Sequence, residues 1–292
     1  MKIRDFIFIN LLVVLLAIHN SEGAGAPTNI PPILTNLTHP VKIALISDIH
    51  INHGTNQALY QANYEKVIAQ VNNEKVDAVI ISGDLTEDGT SKEYSDFKKL
   101  TKQFISPVFF IPGNHDIGNK QISGKKGEIN FKRLTDFHLK LGKSWFSTDC
   151  GDVKIVGANS CLMGSGFQKE EQMWKFLEKQ MPRKPIKPII FVTHHPLYEK
   201  KIEEKGGEYW NVEPAERFRL MGLFQQSGVV AALSGHLHRP VTNNYNGVLY
   251  YTTHPVAFGL PKGKQKPGWT LITVSSNGIN LKPFFIETNN SN

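Results

Sequence analysis

One junction recurs along this chain and restricts what it can fold into. A short run of consecutive aliphatic residues ends directly in Asp, His or Asn. IALIS leads into Asp48-Ile49-His50, AVIIS into Gly83-Asp84, and VFFIP into Gly113-Asn114-His115-Asp116. IIFVT leads into His194-His195-Pro196, and VAALS into Gly235-His236-Leu237-His238. Apolar residues at consecutive rather than alternating positions describe strands covered on both faces. In open α/β sheets the carboxyl ends of such strands form the crevice where ligands bind. Five polar clusters that span almost two hundred residues are therefore expected to converge in space.

The rest of the pattern agrees. Aliphatic runs at 41–47, 76–82, 107–111, 153–158, 187–193 and 228–234 alternate with helical stretches at 57–71, 92–104, 129–140, 169–181 and 214–226. In EEQMWKFLEKQM, Met173, Trp174, Phe176 and Leu177 recur at helical spacing, which makes them core residues. After Gly235 the texture changes to strands with short turns, at 247–253, 268–274 and 278–286. The expectation is a layered α/β domain with mixed sheets and a strand-rich C-terminal third.

Composition is that of an ordinary globular protein, with 40% hydrophobic and 20% charged residues in 292. The net charge of +7 favours anionic partners, but the lysines are scattered and no nucleic-acid-binding patch is evident. Lys2 and Arg4 precede FIFINLLVVLLAI at 6–18, and small residues follow, an arrangement that describes a secretory signal peptide. A membrane anchor needs ~20 apolar residues, more than this run supplies. The expected organisation is a signal peptide at 1–24, an extension at 25–40 and one domain at 41–288, exported to the periplasm or secreted. Cys150 and Cys161 flank a predicted strand. A rise of ~3.3 Å per residue carries them beyond disulfide reach, so no bridge is expected.

Each polar cluster by itself has an ordinary explanation. Asp84 suits a helix cap or a turn with Gly83, and Asn114 a left-handed turn. Together they would desolvate several carboxylates and imidazoles at one sheet edge, a cost that a dication offsets. Asp-x-His on an extended segment would place both side chains on one side, and the same holds for His236 and His238. Oxygen and imidazole donors without thiolate suit Mn, Fe, Co or Zn. One carboxylate can bridge two ions ~3.5–4 Å apart, the spacing used for in-line attack on phosphorus.

In this order and context, DIH, GD, GNHD, HH and GHLH resemble the calcineurin-like metallophosphoesterase superfamily, over about residues 41–286. PGNHDIGN, EEQMWKFLEKQM and ERFRLMGLFQQSGVVAALSGHLH look most like its class III cyclic-nucleotide phosphodiesterase and calcineurin-like phosphoesterase-domain-containing branch. The purple acid phosphatases, its cousins, carry a ligating tyrosine where this chain has Glu87, so their coloured iron site is not implied. The resemblance implies a layered α/β/β/α sandwich with two mixed β-sheets and two divalent transition-metal ions. Asp48, His50 and His238 would hold the first ion, Asn114, His194 and His236 the second, and Asp84 would bridge them. His194 is preferred to His195 because the family's ligand usually stands two residues before the proline. His195 would then lie behind the ligands or face substrate.

The implied activity is hydrolysis of a phosphomonoester or phosphodiester by attack of metal-bound hydroxide. His115 would protonate the leaving group, oriented by Asp116 or Asp48, and Arg239 is a candidate for a phosphate oxygen. His53 and His254 are weaker candidates for the cleft wall. The substrate would be a phosphorylated small molecule or macromolecule, chosen by the loops at 119–130 and 198–212. Glu203, Glu204 and Glu208 near the second loop would repel anions or simply solvate it. Two alternatives are a catalytically weak phosphate-binding protein on the same fold and a phosphoprotein phosphatase. Neither H-E-x-x-H nor G-x-S-x-G occurs, which weighs against a zinc peptidase or serine hydrolase.

Overall fold

The computed structural model describes residues 31–125 and 127–287. The segment read as a signal peptide lies outside them. Five strands form one sheet: β1 (Val41–Ile46), β2 (Ala78–Ile81), β3 (Val108–Phe110), β10 (Gly268–Ser275) and β11 (Gly278–Phe285), in the order β11-β10-β1-β2-β3. A second sheet has the order β4-β5-β6-β7-β9-β8, from β4 (Phe146–Cys150), β5 (Val153–Gly157), β6 (Ile189–Val192), β7 (Val229–Ser234), β8 (Val241–Tyr245) and β9 (Val248–Thr252). Both are mixed. β1, β2 and β3 run parallel, with antiparallel β10 beside β1, while β5, β6, β7 and β9 run parallel between antiparallel edge strands.

Side-chain alternation on these strands sets the layers. Ile43 and Leu45 of β1 join Ile155, Ile190, Val192 and Leu233 of the other sheet in one buried cluster, the seam between the sheets. Their neighbours Ala44 and Ile46 point the other way, into a cluster with Tyr64, Val67 and Phe97 from the helices. Consecutive apolar residues are thus needed because both faces of each central strand are covered. Helices α1 (Gln57–Glu74) and α2 (Ser91–Thr101) cover the first sheet, where Phe97 meets Phe110 edge to face. On the outer face of the second sheet, α6 (Pro214–Ser227) packs Phe224 on Phe191. The remaining helices are α3 (Asn114–Ile117), α4 (Phe131–Leu141) and α5 (Gln168–Gln180). The result is an α/β/β/α sandwich with two mixed sheets.

Sequence signals fix the helix ends. Thr90 and Glu93 exchange hydrogen bonds as a capping box at the start of α2. Pro214 opens α6, and Gly228 closes it at φ 66°. The strands that sequence reading missed, β4 and β8, are both edge strands. FSTDC and VTNNY carry polar side chains there, which protects an edge from pairing with another chain but erases the aliphatic run. Leu34 and Leu37, ahead of β1, are buried in the seam between the sheets. Cys150 and Cys161 are free and pack in different clusters, as the strand between them requires. No helix among the described residues is long and apolar enough to cross a membrane.

Candidate metal centre

The parallel strands β1, β2 and β3 of one sheet and β6 and β7 of the other each end in one of the polar clusters. Two hydrogen bonds tie these edges together across the sandwich. His194 Nδ1 donates to the Ser82 carbonyl at 2.9 Å, and the His236 amide donates to the Asp48 carboxylate at 3.1 Å. The clusters are not extended, contrary to the sequence expectation. Asp48, His50, Asp84, His236 and His238 all have positive φ, between 48° and 71°. Left-handed backbone is costly for residues with a Cβ, so the surrounding packing must hold these five in place. Gly113 is required by a close approach rather than by its backbone conformation. Its φ is −106°, but a Cβ there would collide with the Asp84 carboxylate and amide. Gly235 is similarly pressed against Ser47 and Asp48. Asn114, read as a possible left-handed turn, is instead the first residue of the short helix α3.

The seven candidate ligands converge in two groups around Asp84. On one side, His50 Nε2 lies 3.3 Å from His238 Nε2 and 3.7 Å from Asp84 Oδ2. His238 Nε2 is 3.5 Å from Asp48 Oδ1. On the other side, His194 Nε2 lies 3.3 Å from the same Asp84 Oδ2. That nitrogen is also 3.2 Å from His236 Nδ1 and 3.0 Å from Asn114 Oδ1. Asp48, His50, Asp84 and His238 form one set with ligand geometry, and Asp84, His194 and His236 form another.

The outward ring nitrogens fix how these histidines present themselves. His50 Nδ1 binds Glu87 Oε2 at 2.8 Å, and His238 Nδ1 binds the Phe258 carbonyl at 2.6 Å. His194 Nδ1 binds the Ser82 carbonyl, and His236 Nε2 binds the Tyr209 carbonyl at 3.3 Å. Each outer acceptor takes an N–H, so the inner nitrogen keeps its lone pair, the arrangement that presents an imidazole to a metal. With both rings neutral, lone pairs would face one another across 3.3 and 3.2 Å, so each pair calls for a cation, a proton or a metal ion, between its nitrogens. The donor set therefore fits two divalent ions.

Proton affinities follow the same division. Burial lowers the pKa of all four imidazoles, and their neighbours decide the outcome. For His194 the charge and hydrogen bond of Asp84 outweigh burial and push the pKa up to about 9. For His50 the Glu87 hydrogen bond, then Asp84 and Asp48, also carry it above its ordinary value. His236 and His238 stay depressed, because burial dominates and a neighbouring imidazole repels a second proton. Burial alone would raise the Asp84 carboxyl, yet His194 and then His50 hold it well below the usual carboxylate range. Each half of the site thus holds one protonatable histidine where an ion would sit.

The other predicted residues divide sharply. His115 stands at the rim, edge-on to His50 at 4.6 Å, with its side chain 34% exposed. Its amide donates to Asp84 Oδ1 at 2.9 Å. The orienting group is neither Asp116 nor Asp48. His115 Nδ1 meets the Glu87 carbonyl at 3.0 Å and Glu87 Oε1 at 3.4 Å, and among the described residues Nε2 has no hydrogen-bond partner. Asp116 is buried and occupied: it accepts from the amides of Leu85, Thr86 and Gly113 and from the Thr86 hydroxyl. It locks the loop after β2 to the GNHD turn and reaches no substrate. His195 is also buried, held by the Ser160 hydroxyl and Asn119 Oδ1 with its ring 4.2 Å from His236, so it supports the ligands from behind. Arg239 is committed to Glu199 at 2.6 Å. His53 pairs with Asp96 and His254 packs on Phe285; neither joins the cluster. Glu204 accepts from the amides of Glu199, Lys200 and Lys201 and so braces its loop.

Three residues at the site escaped sequence reading. Glu87 bridges His50 and His115, and its spacing three residues after Asp84 was the available signal. Phe258 supplies the carbonyl for His238 and packs its ring 4.3 Å away. Tyr209 reaches Asn114 and His236; a Tyr-Trp pair inside the polar stretch GGEYWNVE was the visible clue.

The family of calcineurin-like phosphoesterases matches residues 41–240. The chain belongs to that family. Its class is that of the metal-dependent phosphoric ester hydrolases. This phosphoesterase is 30% identical over 233 residues to a probable glycerophosphodiester phosphodiesterase, GpdQ, of Arcobacter nitrofigilis, covering 75% of this chain and 81% of the relative. It is 25% identical over 252 residues to the 3',5'-cyclic adenosine monophosphate phosphodiesterase CpdA of Haemophilus influenzae, covering 82% and 87% of the two chains. Among solved structures, a dimetal phosphatase from Danio rerio superposes with a TM-score of 0.59 at 10% identity, covering 83% of the phosphoesterase and 95% of the other chain, a likeness of fold.

Proposed function

We propose that this phosphoesterase is an exported two-metal enzyme that hydrolyses phosphomonoester or phosphodiester bonds. The observation that carries the reading is the convergence of inner nitrogens and carboxylates on both sides of Asp84 Oδ2, with every outer nitrogen already bonded. In this reading Asp48, His50 and His238 hold one ion, Asn114, His194 and His236 the other, and Asp84 both. Bound there, the ions would activate water near neutral pH and neutralise phosphoryl charge.

The chain's own residues supply the remaining steps. Asn114 completes its half of the site without adding an anion, so the centre stays receptive to a phosphate. With both ring nitrogens protonated, His115 donates Nδ1–H to the Glu87 carbonyl and its Nε2–H passes to the departing oxygen, leaving the neutral imidazole. Glu87 holds His50 with one carboxylate oxygen and approaches His115 with the other, coupling a ligand to the acid. Export rests on the apolar segment at 6–18 and its basic flank.

Purified protein supplied with Mn, Fe, Co or Zn is expected to hydrolyse bis-p-nitrophenyl phosphate or p-nitrophenyl phosphate. Asp84→Ala should abolish turnover. His115→Ala should slow an ester with a poor alkyl leaving group about 10²–10⁴-fold, and a p-nitrophenyl ester less, because p-nitrophenolate departs unaided. Full activity in both variants would remove the basis of the assignment. Processing of the first ~24 residues on secretion tests export.

A further inference from the structure

The two halves of the centre are not built alike. Of the ligands assigned to the first ion, His50 is held from outside by Glu87 and His238 by the Phe258 carbonyl. Two of those assigned to the second, Asn114 and His236, are also gripped from outside by a loop at 196–213. Tyr209 makes both contacts. Its hydroxyl accepts from Asn114 Nδ2 at 3.0 Å, which keeps the opposite amide atom, Oδ1, turned towards His194. Its carbonyl accepts from His236 Nε2 at 3.3 Å, which leaves Nδ1 to face the centre. The Tyr209 ring lies 4.7 Å from the His236 ring.

The loop is braced for this task. Its ends close on each other through the Val212 amide and the Pro196 carbonyl at 2.9 Å. Arg217, fully buried, donates to the carbonyls of Ile202, Glu204 and Val212. Lys120, 2% exposed, donates to the Glu208 carbonyl at 2.8 Å and pairs with Glu213 at 2.9 Å. Two buried cations therefore fix the backbone on either side of Tyr209. Burying cations is costly, and here their hydrogen bonds hold a surface loop in one shape. The ordered shape puts one partly exposed tyrosine against two candidate ligands.

We infer that Tyr209 is a positioning residue for the second ion, orienting Asn114 through its hydroxyl and His236 through its carbonyl. The inference rests on the two-ion reading and adds an asymmetry to it: one ion depends on the 196–213 loop and the other does not. Groups that orient metal ligands from behind typically change metal affinity 10–100-fold when lost.

The test is a Mn²⁺ titration of full-length apoprotein, followed by calorimetry and by the magnetic coupling of the ion pair, for wild type, Tyr209→Phe and Trp210→Phe. Trp210 neighbours Tyr209, is 44% exposed and makes no hydrogen bond to a candidate ligand among the described residues, so it serves as control. Tyr209→Phe should weaken one of the two binding steps about tenfold or more and leave the other at its wild-type value, with Trp210→Phe matching wild type. Two isotherms superimposed on wild type would overturn the inference, as would equal weakening of both steps or the same loss in Trp210→Phe. Wild-type protein that takes up no ion pair would instead overturn the two-ion reading, and this inference with it.

Discussion

Loading the centre should expel protons, and the number follows from the geometry. Burial pulls the His194 pKa down, but Asp84 at 3.3 Å reverses this and carries it up to about 9. At pH 7.5 such a group is mostly protonated, and a metal needs the lone pair that this proton occupies. Uptake of the ion assigned to His194 should therefore release about one proton, and its affinity should rise about tenfold per pH unit until the pH reaches the imidazole pKa. His50, also raised, adds a further fraction from the other half. His236 and His238 are depressed and Asp84 is already ionised, so none of them contributes near neutrality. Sign and window agree: protonation competes with the ion, so affinity falls as pH drops from about 9. Mn²⁺ calorimetry at pH 7.5 in two buffers of different ionisation heat gives the count directly. At least about one proton per protein is expected. A count of zero, with affinity flat between about pH 6.5 and 8.5, would refute the assignment of His194 as a protonated residue displaced by metal.

Other perturbations probe the scaffold. Ile43→Ala, in the fully buried seam between the sheets, should cost about 2–5 kcal/mol in denaturant unfolding, against almost nothing for the exposed Ile186→Ala. Arg217→Met leaves three loop carbonyls without their donor, so cleavage within 196–213 under limited proteolysis should accelerate while the sheets stay protected. Gly113→Ala should lower metal affinity with little loss of helix signal, because the added methyl meets the Asp84 carboxylate rather than the core.

Much of this was legible in the sequence, for a physical reason. Central strands covered on both faces must be aliphatic throughout, as IALI, AVII and VVAAL are, and that pattern located both sheets and the edge where the ligands gather. Edge strands carry no such demand, so FSTDC and VTNNY passed as loops. The candidate ligands themselves were visible because Asp, His and Asn crowd onto strand ends, where ordinary cores have none. Their backbone was not visible: DIH and GHLH read as extended pairs, yet four of those seven residues are left-handed, a conformation imposed by tertiary contacts. The groups behind the ligands were hidden for a related reason. Main-chain carbonyls of Ser82, Tyr209 and Phe258 leave no residue-type signature, and Glu87, visible only as the replacement of a tyrosine, takes on a role once the fold places it between His50 and His115.

The most direct measurement is anomalous diffraction from Mn²⁺-loaded crystals. Two peaks ~3.5–4 Å apart are expected, with Asp84 between them, Asp48, His50 and His238 on one and Asn114, His194 and His236 on the other. One peak, or two that do not share Asp84, would contradict the account.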